Sequence, residues 1–260
     1  MIKTGLKLFV ELTGNPFASN MLKQISSSKI SKPLVRPFSK VYHINESEIE
    51  KPLEKYHSLH AFFTRKLKPN LRPIDRTPYT LTSPVDGIVN GIGKVLPNQA
   101  FYIKDRLYRL DDIFGDTKRA STYYDGYYYI LYLSPSHYHR IHYPIDGKLI
   151  QRYALGETSY PVNSLGLRWG DKPFSTNYRI ISEIDTDTGK VAFIKVGALN
   201  INSIQLTNSS DICVKGEEAG YFSFGSTVLL FIENKHAFQN IVPDNTEIKL
   251  GQALGKWTNV

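Results

Sequence analysis

The sequence predicts an α+β fold, in which a helical, basic N-terminal layer (residues 1–80) rests on a predominantly antiparallel β-sandwich or barrel-like body (residues 81–260). Three observations predict it. The chain has 260 residues, 41% of them hydrophobic, enough for a substantial core. From about residue 81, short runs rich in Val, Ile, Tyr and Phe alternate with Gly, Asp, Asn and Pro, the texture of closely spaced strands and turns. Charge divides the chain at the same place. Residues 1–80 hold 14 Lys/Arg against 6 Asp/Glu, whereas residues 81–260 hold 18 of each, so the whole +8 excess lies in the first third.

Taken in order, Ile2, Leu6, Phe9 and Val10 recur at helical spacing beside Lys3 and Lys7. That pattern suits an interfacial helix, and equally an ordinary surface helix. Ser58 can cap a helix in which Leu59, Phe62, Phe63 and Leu67 share one face. Pro69 and Pro73 should end it, leaving an extended connector from Arg72 to Pro78. Strands are expected over 87–95, 126–133, 147–153, 179–186, 191–198, 201–206 and 225–232, arranged as an antiparallel sandwich or partly closed barrel.

Several classes are set aside by composition. A single cysteine, Cys213, allows neither an internal disulfide framework nor an all-Cys metal site. No apolar run approaches bilayer length, and the first residues lack a secretory-signal pattern, so a soluble or peripheral protein is expected. A basic segment binds nucleic acid or an anionic membrane surface, since both present dense phosphate. The amphipathic spacing beside it favours the membrane.

Three segments can carry chemistry. In Ser83-Pro84-Val85-Asp86-Gly87, Asp-Gly is first a turn signal, and a functional Asp86 must be argued from its partners. In His137-Tyr138-His139-Arg140-Ile141-His142, three of the seven histidines fall within six residues. Imidazole exchanges protons near neutrality, which suits acid–base work; metal binding is the rival and surface packing the plain alternative, best suited to His137. In Phe224-Gly225-Ser226-Thr227, Gly-Ser ordinarily marks a strand start. A serine after glycine has another use, because its hydroxyl can attack the unshielded glycine carbonyl. The ester so formed can eliminate to dehydroalanine, which hydrolyses to a pyruvoyl group. Asp86, His142 and Ser226 are also the ingredients of a carboxylate–base–nucleophile triad.

These segments resemble the phosphatidylserine decarboxylase family, from about Tyr56 to Gly255. Leu59 to Phe63 with Arg65 and Arg72-Pro73-Ile74-Asp75 is similar to the family's leading segment, and Pro84-Val85-Asp86-Gly87 to its aspartate motif. Leu133-Ser134-Pro135 with Tyr138-His139-Arg140-Ile141-His142 and Pro144 resembles its histidine motif. Lys215-Gly216-Glu217-Glu218-Ala219-Gly220 with Phe224-Gly225-Ser226-Thr227-Val228 resembles its self-cleavage motif. The resemblance implies that Asp86 and His142 activate Ser226, and that cleavage between Gly225 and Ser226 leaves associated chains of residues 1–225 and 226–260. It further implies that Ser226 becomes a covalent pyruvoyl cofactor, and that His139 serves the decarboxylation step. The implied activity turns phosphatidylserine into phosphatidylethanolamine through a Schiff base, in phospholipid biosynthesis. The enzyme would be peripheral on the cytoplasmic face of the cell membrane, bound to anionic lipid, with no metal and no nucleic acid; a homodimer stays open. Tyr178 and Asn202 stand where the family often has Glu and Gly. The competing readings are a metal-dependent hydrolase using His137, His139 and His142, and a non-catalytic lipid-binding relative.

Overall fold

The computed structural model describes residues 21, 24–96, 98, 100–103, 106–160, 162, 172–198 and 203–260. The expected helix around Ile2–Val10 lies outside them, as does the start of the strand expected at 201–206. Among the described residues, a 3-10 turn (Lys29–Leu34) leads into α1 (Val35–Val41) and then α2 (Leu59–Phe63). They are followed by β1 (Thr80–Thr82), β2 (Gly87–Lys94) and the hairpin of β3 (Ala100–Ile103) and β4 (Arg106–Arg109). Two short helices, α3 (Leu110–Phe114) and α4 (Thr117–Ser121), lead to β5 (Tyr127–Leu133), β6 (Arg140–His142) and β7 (Gly147–Leu155). Next come α5 (Pro173–Thr176), β8 (Arg179–Thr186), β9 (Gly189–Gly197) and β10 (Ile204–Leu206). The last third holds β11 (Ile212–Cys213), β12 (Glu218–Phe222), β13 (Ser226–Ile232), β14 (Ala237–Asn240), β15 (Glu247–Ile248) and β16 (Ala253–Thr258).

An eight-stranded antiparallel sheet in the order β11-β7-β8-β9-β13-β5-β2-β15 forms the middle layer. Strand alternation explains why both of its faces are buried. Leu229 and Phe231 of β13, with Ile130 of β5 and Ile194 of β9, join a core shared with Phe38, Phe62, Ile113 and Phe174 of the helices. Their strand neighbours Val228, Leu230, Leu131 and Phe193 face a second core, built with Leu81, Ile141, Phe222 and Trp257 of two three-stranded sheets. Those sheets have the orders β1-β16-β14 and β10-β12-β6. Each fully buried Leu or Phe is worth about 1.5–3 kcal/mol, so β13, buried from end to end, anchors both cores at once. The body is therefore sandwich-like, with helices covering its other face. No helix among the described residues is long and apolar enough to cross a membrane.

One expected helix is shorter than its apolar spacing suggested. Ser58 does cap α2, its hydroxyl accepting from Ala61 N at 3.1 Å. The helix ends at Phe63 and not at the prolines. Thr64 Oγ1 bonds back to His60 O at 2.9 Å, Arg65 N turns onto Phe62 O, and Leu67 instead bridges to Ile49 as extended chain.

Candidate active site

The site lies where two segments leave the large sheet together. Leu133, the last residue of β5, is paired with Ser226, the first of β13. From this pair one chain runs through Ser134–His139 into β6. The other runs, against the sequence direction, through Gly225, Phe224 and Ser223 into β12. They are paired again at Arg140 and Tyr221, and midway Phe222 N donates to His139 O at 2.9 Å. The histidine segment and the Gly225–Ser226 bond are thus two sides of one bridge between sheets. Across β13, Ser226 is paired with Gly197, whose carbonyl accepts from Asn177 Nδ2 at 3.0 Å.

Ser226 is fully buried, its Oγ has no hydrogen-bond partner, and Gly225 before it is half-buried. An unpaired buried hydroxyl is costly, which makes it a feature to explain. His142 has a similar spare atom. Its Nδ1 lies 2.8 Å from Gly216 O, so Nδ1 carries the proton and Nε2, buried and without a partner, keeps its lone pair. Burial lowers the His142 pKa from its ordinary value, partly offset by that carbonyl bond. Gly216 is itself constrained: its φ is +84° and a Cβ would lie 2.6 Å from the Ile74 side chain.

His139 is fully buried. Its Nδ1 lies 2.9 Å from His137 O, leaving Nε2 unpartnered. Its ring lies on Phe63, centroids 4.0 Å apart, and Phe63 lies 6.1 Å from Phe224, the residue before Gly225. Burial first, and the Arg65 charge second, hold its pKa well below the usual imidazole range. His137 braces the loop, its Nδ1 accepting from Ser134 N at 3.0 Å.

Asp86 sits in the turn before β2, and Gly87 follows because a side chain there would strike the Tyr132 carbonyl, 2.7 Å from its Cβ. The triad pattern expects Asp86 to orient His142. Instead its carboxylate is gripped by Arg72, with Nε at 2.9 and 3.0 Å and Nη2 at 2.6 Å, and accepts from Leu250 N at 2.9 Å. Arg72 Nη2 also reaches Glu48 at 2.7 Å. Burial acts to lower the Arg72 pKa, but bonds and charge from Asp86 and Glu48 outweigh it and raise it. The His142 ring is oriented by Gly216 O, while Asp86 favours the charged imidazole only from a distance. His142 N does donate to Pro84 O at 2.9 Å, so the two segments are joined through backbone.

Sequence reasoning missed the parts played by Glu48, Arg72, Gly216 and Phe63. Arg72 and Gly216 stand inside motif segments, and an arginine shortly before a buried aspartate was the available signal. Tyr178 is packed against the second core, and its neighbours Asn177 and Arg179 are fully engaged with backbone groups. Among the described residues no three His, Cys, Asp or Glu side chains converge as metal ligands, so the hydrolase alternative gains no support.

A buried, unpartnered hydroxyl following a glycine, and two imidazoles with open Nε2 atoms, are groups suited to acyl chemistry and proton transfer. Comparison with known proteins gives the family. The phosphatidylserine decarboxylase family model matches residues 59–256. The chain is 44% identical to the phosphatidylserine decarboxylase proenzyme of Halalkalibacterium halodurans over 99% of both chains. It is 42% identical to that of Geobacillus kaustophilus over 99% of this chain and 98% of the relative. With the proenzyme of Anoxybacillus flavithermus it shares 45% over 98% and 97%. The chain belongs to the phosphatidylserine decarboxylase family.

Proposed function

We propose that this chain is a self-processing precursor that decarboxylates phosphatidylserine to phosphatidylethanolamine. The observation that carries the reading is the unpartnered, buried Ser226 hydroxyl next to a half-buried Gly225, at the start of β13 and paired with Leu133, from which the histidine loop departs. In maturation His142 Nε2 takes the Ser226 proton, and Oγ attacks the Gly225 carbonyl carbon. The peptide C–N bond breaks and an ester forms. Loss of the Ser226 α-proton expels the Gly225 carboxylate and leaves dehydroalanine; water then replaces its nitrogen, releasing ammonia and leaving the pyruvoyl group. Asp86, held by Arg72, favours the imidazolium charge from a distance as it forms.

The surroundings fit such a cofactor: its parent atom is buried and unpaired, and Phe224, two residues before Ser226, packs near Phe63, on which the His139 ring lies. When present, a pyruvoyl ketone captures the substrate amine and accepts the electrons left by departing CO2. His139 moves the proton. Its neutral Nε2 is an acceptor, so it receives a proton from the substrate's ammonium and returns it to the carbon that has lost CO2. Association of the two product chains is supported by β13, which begins at the cut and is hydrogen-bonded along its whole length to β5 and β9.

Peripheral docking on the anionic cytoplasmic leaflet is the second half of the proposal. Ile30 (83% exposed) and Leu34 project among exposed Lys29, Lys32 and Arg36. Each basic residue near such a surface contributes about 1 kcal/mol. Reversing all three charges should abolish co-sedimentation with phosphatidylserine-containing vesicles; undiminished binding would place the contact elsewhere.

The intact mass of freshly purified protein tests the central claim. Cleavage should release a C-terminal chain of 35 residues, about 4 kDa by proportion from 29.6 kDa, with a blocked first residue. A folded, stable 29.6 kDa species would end the pyruvoyl reading.

A further inference from the structure

We propose that Arg65 is the binding residue for the phosphodiester of the lipid headgroup, held in the cavity that Arg65 lines with Asp86 and His137. The inference rests on the decarboxylase reading and adds to it the residue that recognises the headgroup. Arg65 follows α2 and is only 3% exposed. Nη2 donates to Ser136 O at 2.7 Å and His137 O at 2.9 Å, whereas Nε and Nη1 are buried with no partner. The Phe62 ring covers one side of the guanidinium, 5.3 Å from its centre. Burial lowers its pKa to about 10, so it is still a cation at neutral pH. A buried cation with two unused donors is an expensive arrangement unless an anion completes it.

Arg65 lines a cavity of about 270 Å³ together with Glu48, Arg72, Asp86, His137 and Tyr138. None of the acids there satisfies it. Asp86 and Glu48 are committed to Arg72, and Glu247 is 74% exposed, near His137. The volume falls just under the roughly 300 Å³ at which small-molecule pockets begin, so a headgroup suits it and acyl chains do not. A guanidinium fork matches two oxygens of one phosphate.

Phosphatidylserine offers two anions, and energetics choose between them. A carboxylate clamped on Arg65 would lose that contact as CO2 leaves, so the ground state would be favoured over the transition state. The phosphodiester keeps its charge throughout, and binding it lowers KM without opposing the chemistry. Its charge on Arg65 would also relieve the arginine's pressure on His139, which then accepts a proton more readily once substrate is bound.

The test uses processed full-length protein turning over phosphatidylserine in mixed micelles. Self-cleavage, read separately by mass, reports on the decarboxylase reading; absence of cleavage in the wild type would sink that reading and leaves this one without its basis. Arg65→Gln should raise KM about 10- to 100-fold, the worth of one or two charge-assisted hydrogen bonds, with a much smaller fall in kcat. Arg65→Lys should lie between. Dimethyl phosphate should compete with substrate in the wild type and not in Arg65→Gln, and acetate should do neither. A fall in kcat alone would overturn the proposal and leave Arg65 as a brace for the His137–His139 loop. Noncompetitive modulation by inorganic phosphate, with KM unchanged in Arg65→Gln, would also overturn it, in favour of a free-anion site. Should Arg65→Gln fail to fold, the uncleaved Ser226→Ala protein decides: dimethyl phosphate should raise its Tm and acetate should not, and equal Tm values overturn the assignment.

Discussion

Ser226 and Lys195 stand on the same face of the same sheet, two residues apart along a pair of hydrogen-bonded strands: Ser226 opposes Gly197, and Lys195 opposes Val228. Both are polar and both are buried. Lys195 is fully provided for. Its Nζ donates to Ser182 Oγ at 2.6 Å and Phe193 O at 3.0 Å, and lies 4.2 Å from the Phe193 ring centre. Ser226 Oγ has nothing. The difference teaches that burial of a polar group does not itself mark a reactive site. Spare hydrogen-bonding capacity is the better guide, and Ser226 Oγ, His139 Nε2, His142 Nε2 and Arg65 Nε and Nη1 all have it. Atoms such as Glu183 Oε1 and Trp257 Nε1 share it elsewhere, whereas the former belong to the candidate site and the histidine loop beside it.

The comparison breaks first at Ser226. Ser226→Ala removes the nucleophile and costs the strand almost nothing in volume. The expected product is a folded single chain of 29.6 kDa with no decarboxylation above background, read by mass and by lipid turnover. Normal cleavage in that variant would mean the bond breaks elsewhere.

How much of this was legible beforehand follows the same division. Strands buried on both faces announced themselves as apolar runs, and β8 was expected at the very residues 179–186 where it forms. Short β6 and β12 were not expected, because Arg140, His142, Glu218 and Gly220 carry no period; they are held by pairing with each other, 78 residues apart in the case of the Arg140–Glu218 ion pair. The site was legible as ingredients and illegible as partnerships. Asp86, His142 and Ser226 stand out by residue type. That Asp86 would bond to Arg72 and to the backbone of Leu250, 164 residues on, depends on loop approach that no local pattern encodes. Gly216, which orients His142 in its place, stood out only as part of a motif segment, with nothing to link it to the imidazole.

The second prediction separates the two imidazoles. His139→Ala should still self-cleave, since its Nε2 serves the turnover step, while turnover falls about 10²–10⁴-fold, the usual contribution of a positioned acid–base group. His142→Ala should show the reverse order of defects, with cleavage lost first. Gel analysis of both variants, followed by single-turnover assays on whatever cleaved protein is recovered, checks the split. If His139→Ala remains uncut, both histidines belong to maturation and the division of labour fails.

The smallest effect is expected at the satisfied member of the pair. Burial, with the Arg152 charge adding to it, holds the Lys195 pKa well below that of an ordinary lysine. In the unfolded chain the amine titrates near its usual 10.5. The sign follows: below that pH the unfolded state binds a proton that the folded state does not, so this residue favours folding fully only above 10.5 and loses that contribution as pH falls towards the depressed folded value. Lys195→Met keeps the length and apolar stem of the side chain and removes the titration, leaving Ser182 Oγ without its donor. The variant should self-cleave and turn over as the wild type does. Its denaturant midpoint should vary less with pH between neutrality and 10 than the wild type's, the two curves converging at the alkaline end. A defect in cleavage would instead show that Lys195, for all its completed bonds, still acts on Ser226 two residues away, and that a satisfied buried amine is no safer to dismiss than an unsatisfied hydroxyl.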